Sequence, residues 1–218
     1  MIPLTATGDA ASPQPVLASP RLLLAPIEPA HCTDLHALFS DPEAMRFMDG
    51  PPSRSLEETA KRAETYLFPL PIWHATWVLR ERSGGPVIGL VNYHHRENWN
   101  NRLEIGFALR RSSWGKGFMR EAIAALLDHC FGALDIHRVE ATVNPDNQAG
   151  IRLLEALKFR FEGGPMRARQ RVGGEFRDLS MYGLLRPEWR AFRRAAQNGL
   201  PQPPLAGGAI AHRSGAAA

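Results

Sequence analysis

The chain has 218 residues, 44% hydrophobic and 22% charged, an ordinary balance for a globular protein in which one domain is the default. Lys and Arg number 26 against 22 Asp and Glu, a formal charge of +4 that suits an anionic ligand. No nucleic-acid motif accompanies that charge, and Cys32 and Cys130 stand in no metal-ligand spacing, so nucleic acid, a disulfide framework and a structural metal are not expected.

The ends differ from the middle. Residues 1–19 are small, polar and proline-bearing, and residues 198–218 run through Pro201, Pro203 and Pro204 to an alanine tail; both are expected to be flexible. Residues 1–19 have no basic start leading into an apolar stretch, so no signal peptide is expected. No apolar run approaches the roughly 18 residues of a membrane span, so no membrane partner is expected and the cytoplasm is the expected compartment. One domain over 20–197 remains.

Within it, Arg21–Ala25 reads as a strand ended by Pro26, and helices are expected over Pro29–Phe39 and Leu56–Phe68. Trp73, Ala75, Trp77 and Leu79 alternate with His74, Thr76, Val78 and Arg80 in a strand period. Strands follow at Val87–His94 and Leu103–Arg110, joined by the polar turn Asn98–Asn101. Ile123, Leu126, Leu127, Cys130, Phe131 and Leu134 form one stripe of a 3.6-residue period, the clearest helix in the chain. Val139, Ala141 and Val143 mark a strand, and a helix over Asn147–Leu157 turns Ile151, Leu154 and Leu157 inward. Strands near 159–171 and 176–184 flank the Gly173-Gly174 turn, and Arg167, Arg169 and Arg171 alternate as one solvated face of the first. Helices fall between some strands but not all, which argues for a mixed α/β (α+β) sheet with helices on both faces.

The strand at 103–110 runs through Trp114-Gly115-Lys116-Gly117-Phe118-Met119 into the long helix. A strand, a glycine-bearing turn and a helix N-terminus make an anion site, because free N–H groups converge there and the helix dipole adds positive potential. Lys116 and Arg120, with Arg110 and Arg111 nearby, add countercharge. The same residues also fit a plain turn with no ligand. The spacing of a Walker loop is absent, and Arg120 breaks a dinucleotide Gly-x-Gly-x-x-Gly.

The run Glu104–Leu109, then Trp114–Ala122, resembles the central motif of the GNAT acetyltransferase superfamily. His137–Ala141, Asn144–Asn147, Ile151–Glu155 and the ending Asp178–Trp189 resemble its Rim-type branch, which includes enzymes that acetylate N-terminal amines of ribosomal proteins. The resemblance implies a GNAT fold: a mixed, mostly antiparallel sheet of about seven strands flanked by about four helices. It implies acetyl-CoA as co-substrate, no metal, and a primary amine as acceptor, either a protein N-terminus or a small molecule; it leaves room for a homodimer. By the same resemblance, backbone amides of Trp114, Gly115, Lys116, Gly117, Phe118 and Met119 hold the CoA pyrophosphate. Phe107, Ala108 and Leu109 pair with the pantetheine arm, and Asn147 contacts that arm.

Four positions depart from the family pattern. Trp114 replaces a Gln or Arg, Met119 a small residue that would leave more room for phosphate, and Gly150 a Ser. Leu154 stands where several members carry a Tyr that protonates the leaving thiolate. An amine attacks only as the free base, so the reaction needs a proton acceptor and a donor for the oxyanion. Glu104, on a strand face with Gly106 and Ala108, is the expected acceptor, although it also fits a structural ion pair and a bulge would turn it away. His94, His95 and His137 are alternative bases, and Tyr182 fits the core better than a ligand. A non-catalytic CoA-binding regulator with the same fold is the competing reading. Acceptor selectivity is expected in the first two helices and their connecting loop, around Phe47–Leu56, and in the final hairpin.

Overall fold

The computed structural model describes residues 14–67 and 73–198. Its strands are β1 (Leu17–Ala18), β2 (Leu22–Pro26), β3 (Ala75–Glu81), β4 (Gly89–Glu97), β5 (Arg102–Leu109), β6 (Arg138–Val143), β7 (Arg160–Val172) and β8 (Glu175–Leu185). Its α-helices are α1 (Cys32–Phe39), α2 (Pro42–Met45), α3 (Leu56–Leu67), α4 (Phe118–Phe131), α5 (Gln148–Ala156) and α6 (Arg186–Gln197). The eight strands form one sheet in the order β1-β2-β3-β4-β5-β6-β8-β7, antiparallel throughout except between β5 and β6. The α/β sheet with helices on both faces is thus as expected, with one more strand and two more helices.

Three differences have plain causes. Residues 14–19 are not loose: β1 pairs with β2, the Gln14 amide donates to Thr76 O (2.7 Å), and the Trp77 indole donates to Pro15 O (2.7 Å). Residues 1–13 and 199–218 lie outside the described residues, as does Phe68 of the expected second helix. Helix α6 was not legible because Trp189 and Phe192 supply its inward contacts amid charge; Trp189 is buried and donates to Asp128 Oδ1 (2.8 Å). In β3 the alternation misleads, since Ala75 to Leu79 are buried on both faces.

Each face has its own core. On one, α4 lays Phe118, Ile123, Leu126, Leu127 and Cys130 against Trp77, Val91, Leu103, Ile105 and Val139. Cys130 is fully buried, and its thiol pKa is pushed up by that burial. On the other, α1 packs Leu35, Leu38 and Phe39 on Val78, Leu90 and Ala108. Each such side chain contributes about 1.5–3 kcal/mol by burial. Along this second face the apolar strip gives way, two residues on, to Thr76, Asn92 and Gly106, then to His94 and Glu104. The polar end of the strip is where a cavity opens.

The β7–β8 hairpin closes through Gly173 (φ 59°) and Gly174 (φ 94°), the pair of positive φ values that a two-residue type I′ turn requires. Register shifts in β7 and a left-handed Ala168 break the regular alternation read for Arg167, Arg169 and Arg171; all three are nonetheless exposed. The irregular strand bends across the cavity, where the Gln170 amide donates to Asp49 Oδ1 (2.6 Å) and Arg177 donates to Arg46 O (2.9 Å).

Candidate active site

The parallel seam between β5 and β6 closes for only three residues, Arg102 to Glu104 against Arg138 to Glu140. Ion pairs hold that end. Glu140, 10% exposed at its side chain, takes Arg102 (2.6 Å) and Arg138 (2.7 Å), while Glu97 takes Arg102 and Glu162 takes Arg138. Beyond Glu104 the strands part, and Ile105 to Leu109 keep a strand neighbour only in β4. Arg110 N–H turns toward β4, where it donates to Ile88 O (2.8 Å). Strand alternation therefore points the N–H and C=O groups of Phe107 and Leu109 into the gap. The Leu109 carbonyl is taken by the Trp114 indole (2.8 Å), which leaves Phe107 as the open main-chain pair.

Below the gap, the turn enters α4 with Gly115 at φ 74° and Gly117 at φ 78°. Gly117 is the N-cap and brings no side chain, so the first N–H groups of the 14-residue α4 lack both intrahelical and side-chain acceptors. Arg21 braces this turn by donating to Lys116 O (3.0 Å), pairing with Glu121 (2.7 Å) and lying over the Phe118 ring (4.7 Å). Glu121 also accepts from the Ser19 hydroxyl and Arg21 N–H, both at 2.6 Å. Its burial would raise its pKa, but those bonds outweigh it and hold the carboxyl below its usual value.

Several expectations change here. Met119 is buried in the core with Phe118 and Ala122 and also lines the cavity at the turn. Arg110 and Arg111 are not free countercharge: Arg110 donates to Asp34 O and Arg111 pairs with Asp41 (3.1 Å), which leaves Lys116 and Arg120 exposed at the turn. Asn147 caps α5 by accepting from Gly150 N–H (3.0 Å), and a Cβ at residue 150 would stand 2.8 Å from its Nδ2. Glycine at 150 thus protects the cap. As expected, Leu154 is fully buried and Tyr182 packs in the core against Phe161. Ile151 is only half-buried.

The gap and turn open into a cavity of about 1140 Å³. Glu104, Gly106 and Ala108 share the face expected for them, since β5 pairs with β4 in unbroken register from Glu104 to Leu109. The register slips only beyond His94, in β4. Glu104 Oε1 accepts from the Thr142 hydroxyl (2.5 Å), and its Oε2 lies 3.3 Å from His95 Nδ1 and 3.8 Å from His94 Nε2. Burial works to raise the Glu104 pKa, but the Thr142 bond and the two imidazoles prevail and hold it below the usual carboxylate range. Burial lowers His94. His137 does not line the cavity.

Asp49 and Tyr66, in the loop and second helix expected to govern acceptor choice, line the cavity, and sequence reading missed Asn92 and Thr142, which line it too. Asn92 lies outside any motif, and Thr142 sits in a strand whose parallel pairing is not encoded locally. Asn92 leans over Gly106, where a Cβ would meet its Oδ1 at 2.6 Å.

Residues 21–160 match the family model of the acetyltransferase (GNAT) domain. The chain belongs to the GNAT acetyltransferase family. It is 40% identical over 103 residues to the uncharacterized N-acetyltransferase p20 of Bacillus licheniformis, a match that spans 47% of this chain and 57% of p20. It is 28% identical over 174 residues to the uncharacterized N-acetyltransferase YoaA of Bacillus subtilis, covering 79% of this chain and 98% of YoaA. The Rim-type branch is represented by the ribosomal protein uS5-alanine N-acetyltransferase of Escherichia coli, 28% identical over 104 residues, 47% of this chain and 53% of that one. The fold matches RimL, a ribosomal L7/L12 α-N-protein acetyltransferase solved in complex with coenzyme A, at TM-score 0.69 and 24% identity over 78% of this chain and 98% of that chain. As a GNAT protein with N-acetyltransferase relatives, the chain is an acyltransferase, and among its described residues no helix is long and apolar enough to cross a membrane.

Proposed function

We propose that this acyltransferase moves the acetyl group of acetyl-CoA onto a primary amine, at a protein N-terminus or on a small molecule, by direct attack in a ternary complex. The observation that carries the reading is the parting of β5 from β6 directly above an uncapped helix N-terminus. Positive-φ glycines and unpaired N–H groups at 115–119 fit a pyrophosphate, with Lys116 and Arg120 as countercharge. The open Phe107 carbonyl fits an amide N–H of a pantetheine arm, and Asn147 Nδ2 remains available beside Gly150.

In the reaction, the amine nitrogen bonds to the thioester carbon and the C–S bond breaks. The nitrogen loses a proton to Glu104, directly or through one water, and Phe107 N–H donates to the oxygen that gains charge. No phenol occupies position 154, so the thiolate leaves as such and takes its proton from solvent. The acceptor enters between the Phe47–Asp49 segment and the β7–β8 hairpin, which meet at the Gln170–Asp49 bond.

Acetyl-CoA supplied with peptide N-termini, polyamines, aminoglycosides and amino acids, with free thiol followed colorimetrically, tests this. Turnover with at least one class is expected, and Glu104→Gln lowers kcat about 100-fold. Absence of CoA binding by calorimetry would end the reading. The buried Leu154 favours one competing reading, a CoA-binding regulator, which expects binding without turnover and no effect of Glu104→Gln.

A further inference from the structure

Consecutive residues of a strand send their side chains to opposite faces. His94 and His95 do not. His95 has φ 50°, a left-handed conformation that a residue with a Cβ rarely adopts, at the point where β4 slips out of register with β5. The kink swings the second imidazole onto the face of the first, with ring centroids 4.7 Å apart, and aims both at one carboxylate. One nitrogen from each histidine and one Glu104 oxygen lie within 4.8 Å of one another.

We propose that His94, His95 and Glu104 form a binding site for a divalent transition-metal ion of the zinc class. Two imidazoles and one carboxylate are a borderline-soft set that suits Zn²⁺ over Mg²⁺ or Ca²⁺. Bonds of about 2.05 Å in tetrahedral geometry place ligand atoms about 3.3 Å apart. Glu104 Oε2 already lies 3.3 Å from His95 Nδ1 and 3.8 Å from His94 Nε2, so small rotations of the rings complete the set. Thr142 supplies the outer support such sites use: its hydroxyl occupies Oε1 and presents Oε2 to the histidines. The cavity leaves a fourth position for water. The ion is not a requirement for acetyl transfer; bound, it takes the lone pair of Glu104 Oε2 that would accept the amine's proton. That inhibitory consequence, unlike the site, rests on the role proposed above for Glu104.

The test titrates the full chain, freed of metal with chelator, with ZnCl₂ in a calorimeter, with MgCl₂ as a parallel probe. One Zn²⁺ per chain binds and Mg²⁺ does not. His95→Gln, an exposed position that folding tolerates, weakens the zinc constant at least about tenfold, as does the near-isosteric Thr142→Val, while His137→Gln leaves it unchanged. No zinc binding, or equal binding by wild type and His95→Gln, overturns the proposal. In acetyl-transfer assays zinc inhibits in proportion to occupancy and EDTA reverses it. Binding without inhibition keeps the site and removes Glu104 as the proton acceptor.

Discussion

The two ends of the β5–β6 seam are built from opposite materials. At the closed end, main-chain pairing is backed by a chain of carboxylates and guanidinium groups, Glu97–Arg102–Glu140–Arg138–Glu162. At the open end, from Ile105 to Leu109, the main chain is paired only with β4 and its other edge faces the gap, while Ile105 and Ala108 stay buried in the two cores. The contrast shows how a sheet holds a gap without unravelling: the charged network anchors the fork, and the ligand groups sit just past it. Glu104 stands at the fork itself, bonded across it to Thr142.

The largest effect is expected from removing a donor at the open end. Phe107→Pro deletes the N–H that faces the gap and lowers kcat/KM about 10²–10³-fold in the acetyl-transfer assay, with CoA affinity by calorimetry reduced as well. An unaffected rate would place the oxyanion elsewhere. Next, Glu140→Gln at the closed end takes one of two carboxylates from Arg102 and Arg138, which keep Glu97 and Glu162, and destabilises the fold by about 2 kcal/mol in urea unfolding. A loss below about 1 kcal/mol would mean that the network is solvated and the fork held by packing.

A smaller effect belongs to the brace beneath the open end. Arg21→Ala raises KM for acetyl-CoA several-fold with kcat nearly unchanged, because the turn loses its hold on Lys116 O and Glu121 but no reacting group is touched. Equal losses in kcat would contradict a positioning role. The smallest is a pH effect on stability. The folded-state pKa of Glu121 is depressed, so its contribution is present above the unfolded value of about 4.3 and lost as pH falls through the folded value. The difference in Tm between wild type and Glu121→Gln is therefore constant from neutral pH down to about 5 and shrinks below about 4. A difference that persists unchanged at pH 2 would assign the stability to packing.

How much of this was legible in the sequence follows the range of the interactions. The α4 stripe, the Gly115–Gly117 turn and the Gly173-Gly174 hairpin are local, and their residues specify them. The face of Glu104 followed from strand period alone, because β5 carries no bulge. The fork between β5 and β6 was not legible, since a parallel pair joined through α4 leaves no mark on either strand. The same holds for the Gln170–Asp49 bond, which joins residues 121 apart in the chain. His95 read only as an alternative base because nothing in a His-His pair announces a left-handed kink. Helix α6 and β1 escaped notice for a simpler reason: each offers too few apolar residues to show a period, and tertiary contacts to Asp128 and β2 hold them.

Amide-resolved hydrogen exchange with and without saturating CoA bears most directly on the fork. Before ligand is added, the N–H of Phe107 exchanges fast and those of the paired Leu103 and Glu104 slowly. With CoA bound, Phe107 and the α4 first-turn amides are expected to slow at least about tenfold while Leu103 and Glu104 stay as they were. CoA bound to saturation by calorimetry with Phe107 exchange unchanged would contradict the assignment of the open seam as the cofactor's seat.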